Sequence, residues 1–355
     1  MVININGTLI GQGHAPFIIA EMSGNHNNSL PRALEIVRAA ARAGVSAIKL
    51  QTYKPETLTI NCQNDDFLVS DKSSLWAGRY LYDLYNEAST PWEWHEEIFA
   101  EARKLGVIYF SSAFDESSVD FLETLEVPIY KIASFENSHL PLIKKIAKTK
   151  KPIIISTGLA TLAEIEESVE VARNNGCKDL ILLKCTSSYP ADPLDCNLMT
   201  INDLKQRFNC EVGFSDHTLG IGSSTAAIAL GATVIEKHFT LDSSDDGIDS
   251  KFSMPEMQMK QFVQECISAS NSRGVVNYGP TKNEYSSLKF RRSIYAIKDI
   301  EAGEVLTPLN IGIIRPGFGI HPRFFDLLIG KLSPVNLKFG DRIDENFYND
   351  INYLK

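Results

Sequence analysis

The chain has 355 residues, enough for one large domain and a smaller one, and 44% of them are hydrophobic. Its formal net charge of −9 argues against nucleic acid or an anionic membrane as the main partner. The six cysteines contain no C-x-x-C pair, the N-terminus lacks the pattern of a signal peptide, and no apolar run is long enough to span a membrane. These features predict a cytoplasmic protein, and the net negative charge does not exclude a small anionic substrate, because local lysines and arginines decide that.

From residue 17 onward, short apolar segments rich in β-branched residues alternate with longer amphipathic segments. Near-continuous apolar character is typical of parallel strands that are covered on both faces. Amphipathic segments such as 29–44 and 161–176, which both end on glycine, predict helices. The predicted strands are 17–23, 47–53, 107–114, 129–134, 152–158, 180–187, 211–218 and 234–240.

Eight strand–helix units that end near Arg273 predict a (β/α)₈ barrel, an α/β fold that usually takes about 250 residues. The alternative is an open, doubly wound sheet. Such a sheet normally has a glycine-rich phosphate turn after its first strand, and the segment EMSGNHN is not such a turn. The opening segment MVININGTLIG predicts a small hairpin that precedes the barrel.

Two segments interrupt the alternation of strands and helices. Residues 54–90 form a long, aromatic-rich insertion after the second strand, which predicts an ordered lid or a surface that packs against another subunit. Residues 278–293 are polar, contain a Gly-Pro turn and are typical of a linker. We therefore expect a barrel domain over 1–280, a linker over 281–292 and a small C-terminal domain over 293–355.

Polar residues concentrate where the predicted strands end, which is where (β/α)₈ barrels build their active sites. One such residue could equally be a solvated surface residue, because exposure is the usual state of charged side chains. Their convergence at nearly every strand end instead indicates function. The residues are Glu21, Asn25, Lys49, Gln51, Ser111, Lys131, Ser134, Glu136, Ser156, Thr157, Ser187, Tyr189, Ser215, His217, Glu236 and His238.

Two of these lysines lie on different strands, and serine and threonine hydroxyls accompany them. Lys49 and Lys131 would suit a phosphate and a carboxylate, because ammonium groups and hydroxyls donate hydrogen bonds to anions. The candidates for acid–base chemistry are Glu21, Glu136, Glu236 and Asp249.

The sequence also predicts a metal site. His217 and His238 follow adjacent strands and could hold a divalent ion through neutral imidazoles, although one of them could instead hydrogen-bond a substrate. Two protein ligands leave positions open for water and substrate, which suits a Lewis acid. Glu236, two residues from His238 on the same strand face, could act on the substrate or orient the histidine.

The segments at these strand ends resemble, in chain order, the signature segments of the sialic acid synthases. The segment IRPGFG, which contains Arg315, resembles the antifreeze-like (SAF) domain of that family. Within the family, LYDLYNEASTPWEWH, FDESSVDFLE and YKIASFEN are more similar to pseudaminic acid synthases than to N-acetylneuraminate synthases. The matching segments are FIIAEMSGNHN, AIKLQTY, YKIASFE, IISTG, KCTSSYP, GFSDHT and IEKHF.

This resemblance implies a metal-dependent condensation of phosphoenolpyruvate with an amino-sugar aldehyde, without an organic cofactor. It implies that His217 and His238 bind Mn²⁺, Mg²⁺ or Co²⁺. It further implies a homodimer that exchanges its C-terminal domains, so that Arg315 reaches the sugar in the partner's barrel. Phosphoenolpyruvate would contact Lys49, Lys131, Ser134, Ser156, Ser187 and Ser215, and the sugar and attacking water would contact Glu21, Gln51, Glu136, Tyr189 and Asp249.

Three alternatives remain open. The acceptor could be N-acetylmannosamine or a 2,4-diacetamido-6-deoxy analogue of it, the substrates of neuraminate and legionaminate synthases. A Schiff-base aldolase would use Lys49, Lys131 or Lys184, but it needs a lowered lysine pKa, and nearby carboxylates favour the charged form. A glycan- or ice-binding protein is suggested by the antifreeze-like segment, although Arg315 suits an anionic sugar better than an ice-binding face.

Overall fold

A computed structural model describes residues 2–72 and 74–353 of the chain, with side chains to residue 351. Met1, Ser73, Leu354 and Lys355, which belong to the expected barrel, insertion and C-terminal domain, lie outside the described residues. The chain divides into two compact units, Met1–Gly274 and Val275–Lys355. The expected linker 281–292 thus belongs to the second unit, and Lys282–Phe290 within it is a 3₁₀ helix.

The first unit is a closed barrel of eight parallel strands, β3 to β10, as the alternating pattern predicts. Neighbouring strands pair in chain order, and β10 pairs with both β9 and β3, which closes the ring. The strands of this unit are β1 Val2–Ile5, β2 Thr8–Gly11, β3 Phe17–Glu21, β4 Ala47–Thr52, β5 Ile108–Ala113, β6 Tyr130–Ile132, β7 Ile153–Ser156, β8 Leu180–Cys185, β9 Glu211–Asp216, β10 Val234–Thr240 and β11 Met254–Pro255.

Helices connect the strands and begin and end largely where the sequence indicates. The Ser29 side chain caps α1, and Gly44 ends it in a left-handed conformation (φ 83°) that suits a residue without Cβ. Thr161 and Glu164 form a capping box at the start of α7. The helices are α1 Leu30–Ala43, α2 Pro55–Leu58, α3 Leu81–Ala88, α4 His95–Lys104, α5 Glu116–Thr124, α6 Leu140–Lys148, α7 Leu162–Asn174, α8 Thr200–Phe208, α9 Gly222–Ala229 and α10 Glu256–Ser272.

Successive residues of each barrel strand face alternately inward and towards the helices. The inward set forms one buried apolar cluster, which includes Phe17, Ala47 and Val234 and also Ile3 of the antiparallel β1–β2 hairpin. The outward set, such as Ile48, packs in a second cluster with the helices. Continued to the C-terminal strand ends, the same alternation directs residues 21, 49, 131, 156, 215, 236 and 238 into the barrel mouth.

The second unit has its own small core. Strand β12 (Ser293–Ala296) pairs antiparallel with β13 (Ile311–Ile314), and their buried side chains pack with those of α11 (Phe325–Leu328) and α12 (Glu345–Tyr353). Within residues 2–72 and 74–353, the structure contains no helix long and apolar enough to cross a membrane.

Candidate active site

Four charged side chains meet at the floor of the barrel mouth, and all are almost completely buried. The ammonium of Lys49 forms an ion pair with Glu21 and lies 3.6 Å from the Glu236 carboxylate. The Lys131 ammonium lies 4.0 Å from the same carboxylate. Glu21, Lys49, Lys131 and Glu236 occupy inward-facing positions of β3, β4, β6 and β10. Two cations and two carboxylates therefore share one enclosed space.

Burial and charge set the ionisation of this cluster. Burial raises the pKa of Glu21, and Lys49 opposes that effect. Burial acts against ionisation of Glu236, but Lys131 and Lys49 outweigh it and hold its pKa below the usual range. Burial also opposes the charge on Lys49, but Glu21 and Glu236 outweigh it and raise its pKa. Of the two carboxylates in this cluster, Glu21 therefore takes up a proton more readily than Glu236.

Hydroxyl groups surround the two ammonium groups. Lys131 donates to Ser156 Oγ at 2.7 Å, and Lys49 donates to Ser112 Oγ at 3.1 Å. Ser215 donates to Glu236 at 3.4 Å, although this bond is long. The sequence predicted Ser111, and not Ser112, among the polar residues of the barrel mouth. Ser111 faces outward and bonds Thr52, and only the alternation counted from the inward Phe110 would have identified Ser112.

Near Lys131, the backbone of Gly158 comes very close to the side chains of Ser134 and Ser187. A Cβ atom added to Gly158 would collide with Ser187 Oγ and would lie 2.6 Å from Ser134 Oγ. The Asn137 amide donates to the Gly158 carbonyl at 3.0 Å and holds this turn in place. The two predicted serines therefore pack against the Cα atom of residue 158 at a distance that only glycine permits.

Both predicted metal ligands line the mouth, and their ring centres are 5.4 Å apart. His217 Nδ1 bonds the Thr186 carbonyl at 2.9 Å, so Nδ1 carries the proton of the neutral ring and the Nε2 lone pair is free. His238 Nδ1 is buried without a hydrogen-bond partner, and burial lowers its pKa well below the usual value. A neutral, unpartnered imidazole nitrogen fits a divalent ion, whose binding here stays a prediction.

Two further observations bear on this metal site. Burial lowers the pKa of His217, but the neighbouring Cys185 outweighs it and raises that pKa above its usual value, so a metal would compete with a proton there. Among the described residues, no group of three or more His, Cys, Asp or Glu side chains could hold a metal ion. A metal at His217 and His238 would therefore complete its coordination with water or substrate.

An aromatic wall, which we define as Trp76, Tyr189 and Phe252, borders the histidines. The Tyr189 ring lies tilted against His217 with 4.3 Å between ring centres, and the Phe252 ring lies 4.9 Å from that of His238. Trp76 contacts both Tyr189 and Phe252, and its indole donates to the Ile248 carbonyl at 3.2 Å. The insertion 54–90 therefore contributes an ordered side chain to the mouth.

The remaining predicted acid–base and sugar-contacting residues lie at the same end of the barrel. Burial raises the pKa of Glu136 to about 7, against the effect of Lys131. Asp249 accepts a hydrogen bond from Ser23, and burial raises its pKa as well. Gln51 donates to Glu21 at 2.9 Å. Sequence reasoning missed Ser23, which is the last residue of the predicted strand 17–23 but in the structure begins a short 3₁₀ helix after β3.

The three lysines considered for a Schiff-base aldolase differ in ionisation and in the direction they face. Lys49 is held in its charged form, as expected. Burial instead lowers the pKa of Lys131, so the expectation that carboxylates dominate was wrong for this lysine. Lys184 faces away from the barrel interior and donates to the Cys185 carbonyl at 2.8 Å. Lys131 is therefore the lysine that a test for a Schiff base must examine.

Arg315 belongs to the second unit and follows β13. Its side chain is exposed and forms no hydrogen bond or ion pair with any described residue. Its side chain therefore caps no turn among the described residues of its own unit. Its predicted role at a partner's barrel stays a prediction.

Comparison with known proteins agrees with the fold. Residues 36–278 match the model of the NeuB family, and residues 291–345 match the SAF domain. The chain is 44% identical to a pseudaminic acid synthase of Campylobacter jejuni over 330 residues, which cover 93% of this chain and 96% of that protein. It is 42% identical to the pseudaminic acid synthase of Helicobacter pylori, with 91% and 95% covered.

A solved structure gives the same result. The N-acetylneuraminic acid (sialic acid) synthetase of Leptospira borgpetersenii superposes with a TM-score of 0.73 at 30% identity, covering 82% of this chain and 96% of that one. Fold, motif order and overall identity agree across most of the chain. The chain therefore belongs to the NeuB family of sialic acid synthases, as a (β/α)₈ barrel followed by a SAF domain.

Proposed function

We propose that the protein is a pseudaminic acid synthase and hence a carbon–carbon bond-forming transferase. It condenses phosphoenolpyruvate with 2,4-diacetamido-2,4,6-trideoxy-L-altrose and water, and it releases phosphate by C–O cleavage. One observation carries the proposal: two buried lysines with partner hydroxyls face two buried histidines across one barrel mouth.

Phosphoenolpyruvate carries a phosphate and a carboxylate, and the barrel floor offers donors for both. Lys49 and Lys131 supply positive charge in a space that excludes water, where charge-assisted hydrogen bonds are strongest. Ser134 and Ser187 converge beside Gly158 and can donate to phosphate oxygens. Glu21 gains a proton readily, so the cluster can accept a multiply charged anion without leaving an unpaired carboxylate.

Carbon–carbon bond formation follows from this placement. A divalent ion bound by His217 and His238 would act as a Lewis acid and make the sugar aldehyde carbon electrophilic. The C3 atom of the enol phosphate attacks that carbon, the aldehyde oxygen becomes a hydroxyl, and positive character develops at C2. The Glu236 carboxylate, ionised by its lysine neighbours, stabilises this charge.

Phosphate release completes the reaction. Water adds to C2 and loses one proton to a carboxylate, for which Glu136 is suited because its pKa of about 7 lies near neutral pH. This proton offsets the one that the aldehyde oxygen takes up as it becomes a hydroxyl. The bond between C2 and the bridging oxygen then breaks, the new C2 hydroxyl becomes the ketone, and its proton leaves with the phosphate as hydrogen phosphate. Lys49 and Lys131 stabilise the phosphate throughout.

The aromatic wall supports the choice of acceptor. Trp76, Tyr189 and Phe252 present apolar surface next to the histidines that would hold the aldehyde end of the sugar. A 6-deoxy sugar with two acetamido groups carries more methyl surface than N-acetylmannosamine, which ends in a hydroxymethyl group, and an aromatic border to the site favours the less polar sugar. The altrose and its manno isomer share these methyl groups, so the wall does not choose between them.

A direct assay tests the proposal. Phosphate release is measured with phosphoenolpyruvate and each of three sugars: the diacetamido altrose, its manno isomer and N-acetylmannosamine. We expect the highest kcat/KM with the altrose. A preference for either other sugar would assign the protein to the legionaminate or neuraminate synthases, and release with none of them would contradict the condensation.

We also propose a homodimer in which each C-terminal domain docks on the partner's barrel. Large apolar side chains are exposed in loops that follow the barrel strands, among them Phe135 and Leu159, which are 62% and 71% exposed. Large apolar side chains left exposed at the C-terminal ends of the barrel strands offer a surface on which another subunit can dock. The unpaired Arg315 of the second unit would then find its partner in the sugar of the neighbouring subunit.

A further inference from the structure

Each candidate metal ligand follows a charged residue in the sequence, and those two charged residues form a pair of their own. Asp216 precedes His217, Lys237 precedes His238, and Asp216 and Lys237 are register partners of β9 and β10. Their side chains lie outside the barrel, on the opposite strand face from the imidazoles. The Lys237 ammonium is 2.9 Å from Asp216 Oδ2, and the two side chains are only 2% and 0% exposed.

This ion pair also holds the loop that follows His217. Asp216 Oδ1 accepts from the Thr218 backbone amide at 2.8 Å and from its hydroxyl at 2.7 Å. Lys237 donates to the Thr218 carbonyl at 2.7 Å. His217 is therefore fixed on both sides: Asp216 before it and Thr218 after it are both bonded to the residue that precedes His238.

Helix α9 closes the network from the outside. Ser224 donates to Asp216 Oδ2 at 2.6 Å, and the Phe262 ring of α10 lies 5.8 Å from the ammonium. A buried ion pair is seldom more stabilising than apolar side chains of the same size, because both charges lose their hydration. Its fully bonded geometry, however, allows only one arrangement of the two strand ends.

We propose that Asp216 and Lys237 are positioning residues that set the spacing and direction of His217 and His238, so that both imidazoles can bind one divalent cation. The inference rests on the metal-dependent function proposed above. It concerns cation binding alone, without either substrate. It assigns a role to the charged residues of the segments GFSDHT and IEKHF that the reaction itself leaves unused.

The experiment measures Mn²⁺ binding to substrate-free protein by electron paramagnetic resonance of the unbound ion. The variants are Lys237→Met, Asp216→Asn and the double variant that carries both. The control is Thr52→Val, which breaks a buried, outward-facing bond to His95 on a different part of the barrel. Circular dichroism and thermal unfolding show which variants retain the fold.

We expect Mn²⁺ binding to weaken by roughly ten- to a hundredfold in Lys237→Met and in the double variant, and to stay unchanged in Thr52→Val. The direction of the change in Mn²⁺ affinity of Lys237→Met is decisive, because removal of a positive charge by itself strengthens the binding of a nearby cation. Weaker binding therefore reports displaced imidazoles, and not altered charge.

The double variant separates positioning from stabilisation. It leaves no unpaired buried charge, so its thermal stability should recover relative to the single variants while its Mn²⁺ affinity stays low. Wild-type or tighter Mn²⁺ binding in folded Lys237→Met and in the double variant would overturn the inference, as would wild-type protein that binds no Mn²⁺. Failure of the proposed condensation would appear separately, as absent phosphate release by the wild type with both substrates.

Discussion

Lys49 and Glu21 form an ion pair between adjacent strands β3 and β4, where their side chains are 4% and 1% exposed. Burying both charges removes their hydration, so each depends on its partners inside the barrel. Lys49 has a second carboxylate, Glu236, within 3.6 Å. A cation that stays buried and charged without substrate suits the anion that we propose it binds.

Replacing either floor lysine by alanine should impair the use of phosphoenolpyruvate. Lys49→Ala and Lys131→Ala each remove a charge-assisted hydrogen bond, which contributes about 1.5–3 kcal/mol. We expect the KM for phosphoenolpyruvate to rise roughly ten- to a hundredfold in steady-state phosphate-release assays. Lys184→Ala, on the outward face of β8, is the matched control and should leave this KM unchanged. A KM increase confined to the sugar would contradict the phosphate assignment.

The same lysines allow the aldolase alternative to be tested. Burial lowers the pKa of Lys131, which is a condition for Schiff-base chemistry. We expect no covalent adduct after borohydride treatment with both substrates, as measured by mass spectrometry of the intact protein. An adduct that disappears in Lys131→Ala would replace the proposed mechanism with imine chemistry.

Gly158→Ala should fill the space between Ser134 and Ser187. The added methyl group would lie within 2.6 Å of Ser134 Oγ, so the serines must turn away from the anion. We expect the KM for phosphoenolpyruvate to rise at least about tenfold, since hydrogen bonds to a charged group are lost. Gly222→Ala is the control, because a Cβ there has open space. Unchanged kinetics in folded Gly158→Ala would place the phosphate elsewhere.

Glu136 should give the reaction a pH dependence near neutrality. Its carboxyl group has a pKa of about 7, so it is protonated and unable to accept a proton below that pH. We expect kcat/KM to rise with pH through about 7 and to level off above it. In Glu136→Gln this rise of kcat/KM with pH should vanish, and kcat should fall by roughly 10²–10⁴-fold. If the glutamine variant kept the same rise, the titrating group would be another residue, with Glu21 as the next candidate.

Metal removal should abolish activity. The unpartnered Nδ1 of His238 and the available Nε2 of His217 fit a divalent ion, and Mn²⁺, Mg²⁺ or Co²⁺ should restore activity after chelation. His217→Ala should lose both metal affinity and turnover while circular dichroism stays unchanged. Full turnover by protein shown to be metal-free by elemental analysis would exclude the Lewis-acid role.

Mixing two impaired variants tests the exchanged dimer. At a phosphoenolpyruvate concentration well below its raised KM, Lys131→Ala leaves the barrel nearly inactive, and Arg315→Ala disables the C-terminal domain. A heterodimer with shared sites therefore contains one site without either change. Activity should recover to at most about half of the wild-type value within such heterodimers. If heterodimers form, as native mass spectrometry would show, and no activity returns, Arg315 does not act at the partner's site.

The sequence by itself determined the barrel and most of the floor of its mouth. Parallel strands covered on both faces need near-continuous apolar segments, so all eight strands were visible as patterns, with bounds that differ by a few residues. Lys49, Lys131, Glu236 and His238 were predicted because strand ends in this fold face one mouth. The family motifs added Arg315, whose proposed role the single chain does not test.

Only the tertiary structure decided which side chains meet. Ser112, and not Ser111, faces Lys49, because a one-residue difference turns a side chain to the other face of the strand. Ser23 meets Asp249 across 226 positions of sequence, and Trp76 reaches the carbonyl of Ile248. Irregular loops have no period that a sequence reveals, so contacts between them depend on how the closed barrel places its strand ends. The same closure joins Asp216 to Lys237 and brings the two histidines together.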